Sequence, residues 1–255
     1  MKANDYQNRG EWIVDVRSSM SNATIVGEVY VGAPIDQHSE RIFLAKIARF
    51  FDAQKIPFVL LSNLHIRSNQ IDCIVVTDSR VLVVEVKSSR FPVRGEVNGK
   101  WARMDASGQW QPYTNAYQQV LTAKHALRDA MNAIRPVGNF YPDGHVIFTG
   151  GIPKNSQMTK GDFKATVIEI DQFLSEFRVQ GTSPWSFEDW RAFADKFALT
   201  RCSVADAIQF QEASEAAERV KQYDAAFIAE YATGARRWLS EDSEQRSALL
   251  ATAIA

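Results

Sequence analysis

Hydrophobic and polar positions divide this chain into runs of two kinds. In "SERIFLAKIARFFDAQ", Ile42, Leu44, Ala45, Ile47, Ala48 and Phe51 recur at roughly helical spacing, which predicts a helix over 39–54. Ser39 is placed to cap it, and Pro57 bounds its far end. Three runs rich in β-branched residues follow, "FVLLSNLHI", "QIDCIVVT" and "RVLVVEVKS", and each reads as a strand. The last two are linked by Thr77–Arg80, which suits a hairpin. A short strand is also expected at Thr24–Val31. Asn98-Gly99, flanked by Val97 and Trp101, is a strong two-residue turn signal, so about 90–112 reads as an inserted hairpin. A long helix at 115–134 ends before Arg135-Pro136, and "GHVIFTG" and "KATVIEI" are further strands. From Asp171 the pattern turns helical, at 171–179, 186–198 and 203–239. Residues 186–239 are expected to be almost wholly helical, with an apolar stripe of Phe193, Phe197, Ile208, Phe227 and Tyr231. The order is helix, three strands, helix, strands, which is an α/β core with a helical C-terminal part. The expected divisions are an N-terminal segment 1–36, a core 37–180 and a helical region 181–255.

Composition narrows the function classes. With 255 residues, 45% of them hydrophobic, the chain can bury a substantial core. A formal net charge of −1 excludes nucleic-acid binding by bulk electrostatics, so any phosphate binding is local and helped by bound cations. Cys73 and Cys202 make no zinc pattern and read as buried thiols in a reducing compartment. "MKANDYQNRGEW" has no apolar leader and no stretch approaches 18 apolar residues, so a soluble cytoplasmic protein is expected. His38, His65, His125 and His145 are scattered without metal-ligand spacing, and no phosphate-loop motif occurs. Trp101, Trp110 and Tyr113 sit among Arg90, Arg94, Lys100 and Arg103, a mixture that either stacks bases and grips phosphates or is a packed hairpin with solvated charges.

The candidate chemistry lies in "VLVVEVKSS". Strand alternation puts Val81, Val83, Glu85 and Lys87 on one face, and Asp72, Ile74 and Val76 on one face of the strand before it. With Thr77–Arg80 as the loop, Val76 meets Val81, Ile74 meets Val83, Asp72 meets Glu85, and Gln70 faces Lys87. Two opposed carboxylates destabilise a sheet unless something lies between them, and a divalent cation serves. The plainer alternative is a salt bridge from Asp72 or Glu85 to Lys87. Asp162-Phe163-Lys164 repeats the acid-x-Lys spacing with no apolar strand before it, and marks what chance alone supplies.

"QIDCIVVTDSRVLVVEVKSS" resembles the core of the NERD (nuclease-related) domain, within the PD-(D/E)xK superfamily of restriction-endonuclease-like enzymes. Asp72 matches its Asp, and Glu85-Val86-Lys87 its E-x-K. Glu40 in "HSERIF" fits an acidic residue on the first core helix. Asn115-Ala116-Tyr117-Gln118-Gln119 resembles the family's N-P-x-x-Q segment and aligns Gln119, with Ala116 in place of proline and Gln118 as a competitor. The resemblance covers about 36–150. It implies a restriction-endonuclease-like core: a mixed sheet flanked by helices. It implies that Asp72, Glu85 and the Val86 carbonyl hold Mg²⁺, with Mn²⁺ able to substitute. Lys87 would orient or activate the attacking water, Glu40 would help with a second metal or its water, and Gln119 would steady a phosphate or Lys87. The implied activity is metal-dependent phosphodiester hydrolysis in nucleic acid, DNA favoured, in DNA processing or antiviral defence. The implied partners are DNA and a helicase or ATPase, with oligomerisation or coupling through the helical C-terminal region. The alternative is a catalytically silent module that binds nucleic acid or protein on the same fold.

Overall fold

The computed structural model describes residues 27–181 and 183–209. In chain order the elements are β1 (Gly27–Val31), α1 (His38–Gln54), β2 (Phe58–Ile66), β3 (Asn69–Thr77), β4 (Val81–Lys87), β5 (Val93–Gly95), β6 (Trp101–Met104), β7 (Trp110–Tyr113), α2 (Ala116–Ile134), β8 (Asp143–Phe148), β9 (Gln157–Met158), β10 (Thr166–Glu169), α3 (Ile170–Glu176), α4 (Phe187–Lys196) and β11 (Thr200–Cys202). Seven strands make one mixed sheet in the order β10-β8-β4-β3-β2-β1-β11, and β7-β6-β5-β9 make a second, smaller one.

β4 lies at the heart of the large sheet, antiparallel to β3 and parallel to β8. Helices cover both of its faces. On one, Phe43, Leu44, Ile47 and Phe51 of α1 and Phe173 of α3 pack with Leu60, Val75, Val84 and Val86. On the other, Leu127 and Met131 of α2 and Trp190 and Phe193 of α4 pack with Leu61, Ile74, Val81 and Val83. A strand covered on both faces has no solvent side, so β4 is a nearly continuous apolar run. This is the mixed sheet flanked by helices that the resemblance implied.

α2 is set by its first residue pair and by a glycine. The Asn115 side chain caps it, accepting the Gln118 N–H at 3.0 Å. Farther along, the helix lies so close to β8 that a Cβ at Gly144 would sit 2.6 Å from Val120 and 2.7 Å from Lys124.

Several expectations are corrected. Ser39 is not the cap of α1. The helix starts at His38 after Gln37, which makes no side-chain cap bond, and Ser39 is buried in the first turn. Asn98-Gly99 forms no two-residue turn. The loop runs from Glu96 to Lys100, neither residue has positive φ, and the excursion is a sheet that recruits β9 from beyond α2. The tight turn lies instead between β6 and β7, where the Asp105 carboxylate accepts from Ser107 and Gln109 and Gly108 has φ 81. Of the stretch 186–239 expected to be almost wholly helical, the described part, 186–209, is interrupted by β11, which pairs with β1 and extends the large sheet. The expected stripe divides, Phe193 and Phe197 joining the α2 side and Ile208 the α1 side. Phe227, Tyr231 and the helix beyond 209 lie outside the described residues, as do positions 24–26 of the first expected strand. Cys73 is a buried free thiol, but Cys202 is only half-buried. Among the described residues no helix is long and apolar enough to cross a membrane.

Candidate active site

The expected register is observed: Val76 pairs with Val81 and Ile74 with Val83, so Asp72 and Glu85 come opposite by count. The ladder ends one step earlier, at Cys73–Val84, and beyond it β3 and β4 part. In the gap the Asp72 carboxylate accepts the backbone N–H of Val86 at 2.8 Å, standing in for the acceptor that β3 no longer supplies.

The simple alternation assumed for β3 fails at this residue. In β2, Val59 and Leu61 join the α2-side cluster and Leu60 the α1-side cluster, but past Asn63 it is Leu64 and Ile66 that join the α2 side. β3 changes sides opposite: Val75 and Cys73 join the α1 side, then Ile71 joins the α2 side. The exchange falls between the pairs Ser62–Cys73 and Leu64–Ile71, at the position of Asn63 and Asp72. Its cause is Asn63, whose φ of 48° is left-handed. Asn and Asp tolerate that region best among non-glycine residues. Asn63 is buried, and its amide donates to the carbonyls of Ala33 at 3.2 Å and Pro34 at 2.8 Å while accepting from Gln70. Gln70 therefore does not face Lys87. The staple from Asn63 to residues 33–34 also fixes the chain that leads into α1, and so the entry of Glu40.

Four ionisable groups meet here. Asp72, Glu85 and Glu40 are 8%, 4% and 4% exposed. Lys87 donates to the Glu85 carboxylate at 2.5 Å, an ion pair between neighbours on one strand face. Burial raises the Glu40 carboxyl to about 7, with the Asp72 charge adding to it and Lys87 opposing. Burial and the Asp72 charge likewise push Glu85 up to about 7. Burial raises Asp72, against the Val86 N–H and Lys87. Burial pulls Lys87 down, but Glu85, Asp72 and the nearby Tyr113 hydroxyl outweigh it and hold the ammonium above its ordinary value. Three buried carboxylates thus share one ammonium, and two negative charges lack a counter-charge when all are ionised. An added cation with a taste for hard oxygen ligands fits that deficit and the donor set, which is carboxylate and carbonyl oxygen with no nitrogen or sulfur. As the side chains stand, no group of three or more His, Cys, Asp or Glu among the described residues forms a metal-ligand cluster.

The structure separates Gln118 from Gln119. Gln118 is exposed and donates to the carbonyl of Val97 and the side chain of Asn98. The amide oxygen of Gln119 is buried with no partner. The Asp162 triplet is no site: the Asp162 carboxylate accepts from Tyr117 and from the Lys164 N–H, and Phe163 is 93% exposed. Asn63 and Tyr113 were not singled out from sequence for this site. The sign for Asn63 was a polar Ser-Asn pair interrupting an otherwise apolar strand. Tyr113 carried none that tied it to Lys87.

No curated protein and no solved structure matches the chain. The family model of the nuclease-related domain, NERD, matches residues 36–149. That span holds α1 through β8 and with them Glu40, Asp72, Glu85, Lys87 and Gln119. By this match and by the fold it adopts, the segment from residue 36 to residue 149 is a NERD domain of the restriction-endonuclease-like superfamily.

Proposed function

We propose that the protein is a metal-dependent nuclease that hydrolyses phosphodiester bonds, with DNA as the favoured substrate. The observation that carries this reading is the burial of Asp72, Glu85 and Glu40 beside the half-buried Lys87 where β3 and β4 part, inside a nuclease-related domain. Asp72, Glu85 and the Val86 carbonyl would hold Mg²⁺, or Mn²⁺ in its place. When bound, the metal polarises a phosphoryl oxygen and acidifies a coordinated water. Lys87 would position the attacking water and offset charge on the transition state. Glu40 assists with a second metal or its water from the first turn of α1. Gln119 offers its unpartnered amide to Lys87 or to a phosphate. A role in DNA processing or in defence against foreign DNA, alongside a helicase or ATPase, follows the same reading.

The Glu85–Lys87 ion pair favours a second reading, a silent binding module in which those residues satisfy each other. Incubation with circular single-stranded and supercoiled double-stranded DNA, in Mg²⁺, Mn²⁺ or EDTA, separates the two. Cleavage that needs metal and vanishes in Asp72→Asn supports the nuclease. Intact circles under every condition, with DNA retained, support the module.

A further inference from the structure

We infer that the outer face of the small sheet is the track for a single-stranded segment of nucleic acid leading into the carboxylate site. This inference rests on the nuclease reading for its purpose, but on separate residues for its evidence. Register and alternation divide the small sheet. Val93 and Trp101 point inward and are buried against α2 and β8. Arg94, Ala102 and Pro112 stand in line across β5, β6 and β7 on the opposite face, with Trp110 beside them. A Cβ at Gly95 would lie 2.4 Å from the Trp101 ring, so the glycine lets Trp101 fill the inner layer and leaves the outer one open. A groove of about 510 Å³ runs over the outer face, lined among others by Arg94, Lys100, Trp110, Pro112, Tyr113 and Gln118.

Charge and chemistry identify the occupant. The lining contains two cations and no Asp or Glu. Elsewhere the described arginines are often neutralised, as Arg80 is by Asp143, Arg135 by Asp189, and Arg191 and Arg201 by Glu28. Among the described residues Arg94, Lys100 and Arg103 pair with no carboxylate. Instead Arg94 lies over the Trp110 ring at 4.6 Å on the outer face, while Arg103 lies over the Tyr113 ring at 5.4 Å on the face of Val93 and Trp101 and does not line the groove. Stacking occupies the flat face of a guanidinium and leaves its edge donors free for phosphate. Asp105, just after β6, spends its carboxylate on its own turn and on Gln111. The half-buried Trp110 ring beside the unpaired Arg94 and Lys100 matches a strand with unstacked bases better than a duplex, whose bases are hidden from such a ring. The groove reaches the start of α2, where Gln118 lines it beside Gln119 in the chain, and this joins the track to the site.

The test is binding without chemistry. Fluorescein-labelled (dT)₂₀ and a 20-base-pair duplex are titrated in EDTA into wild type, Trp110→Ala and Arg94→Glu, with melting temperatures as the control for folding. The expected result is a preference of wild type for (dT)₂₀. Trp110→Ala and Arg94→Glu should each bind it at least tenfold more weakly, and Arg94→Glu should show a flatter salt dependence. Unchanged affinity in both groove variants, preference for the duplex, or equal competition by polyglutamate would overturn the track. Circular-DNA cleavage by wild type with unchanged binding in the variants would sink the track and leave the nuclease. Lost binding in the variants with no cleavage by wild type would do the reverse.

Discussion

Asp72 accepts the Val86 N–H at 2.8 Å, so the same carboxylate that faces Glu85 also terminates the β3–β4 ladder. Its two duties separate by substitution. Asp72→Asn removes the charge and keeps an oxygen for the N–H. It should match wild type in EDTA or exceed it by about 1 kcal/mol. Asp72→Ala strands a buried N–H at a cost of about 1–3 kcal/mol, which outweighs the relieved repulsion. Both should lose metal-dependent cleavage. Urea denaturation in EDTA makes the comparison, and equal stability of the two variants would contradict the assigned bond.

Glu40 makes stability depend on pH. Its folded carboxyl titrates near 7 against 4.5 for the free group, because burial and Asp72 disfavour its charge. The folded protein therefore holds a proton that the unfolded chain has released. That contribution is complete below about pH 4.5 and is lost as pH rises through 7. His145 works against it: burial, aided by Arg80, pushes its pKa down to about 4, so its contribution grows as pH rises from 4 to 6.5. A comparison with Glu40→Gln cancels the histidine. In EDTA the variant should gain on wild type between pH 4.5 and pH 7, by about 2–3 kcal/mol. A constant difference across that range would refute the shift.

Lys87→Met removes the one ammonium beside Glu85. Breaking a buried pair costs about 3–5 kcal/mol when the remaining charge cannot escape. Glu85 can take up a proton, so the loss should be smaller at pH 5 than at pH 8. Mg²⁺ should still raise the melting temperature, since a ligand stabilises the state that binds it and Lys87 is not a ligand. Absence of that rise in the variant would implicate Lys87 in holding the metal.

Asn63→Gly keeps the left-handed backbone and drops the amide bonds to Ala33, Pro34 and Gln70. Asn63→Ala loses both. The first should cost about 2 kcal/mol and the second about 1 kcal/mol more. Thermal melts rank them, and the opposite order would mean that the turn of β2 does not depend on φ at this residue.

Gly144→Ala places a methyl group against Val120 and Lys124, and the Val120 branch has nowhere to go inside the α2 contact. A loss of about 1–3 kcal/mol is expected, together with weaker cleavage as α2 shifts and carries Gln119 with it. Full stability in this variant would show that α2 can ride outward freely.

The large sheet was legible because its strands announce themselves by burial on both faces. The register of Asp72 against Glu85 could be counted from a four-residue link. The gap was not legible, because it depends on one left-handed residue in β2, and asparagine there looks like any polar interruption. That Gln118 is exposed while the amide oxygen of Gln119 is buried also needed coordinates, since adjacent helix positions differ by a rotation that sequence spacing does not anchor. β11 was hidden in a helical stretch: three residues are too few for a period, and the pairing with β1 is a tertiary contact. The small sheet was half legible. Its aromatic and basic residues were visible, but not that Trp101 turns inward while Trp110 turns out.

The staple from Asn63 to Ala33 and Pro34 has a bearing on modularity. The family match opens at residue 36, after both of those carbonyls and after β1. A fragment trimmed to 36–149 would lose the partners of Asn63 and would uncover the long edge of β2, which β1 and, beyond it, β11 shield. Removing β1 bares Phe58–Ser62, four of these five apolar, and a bare apolar edge recruits other strands, so such a fragment should aggregate. The heritable unit and the cooperative folding unit therefore have different borders, and a transplant of this domain into another protein must carry residues 27–31 and 200–202 with it.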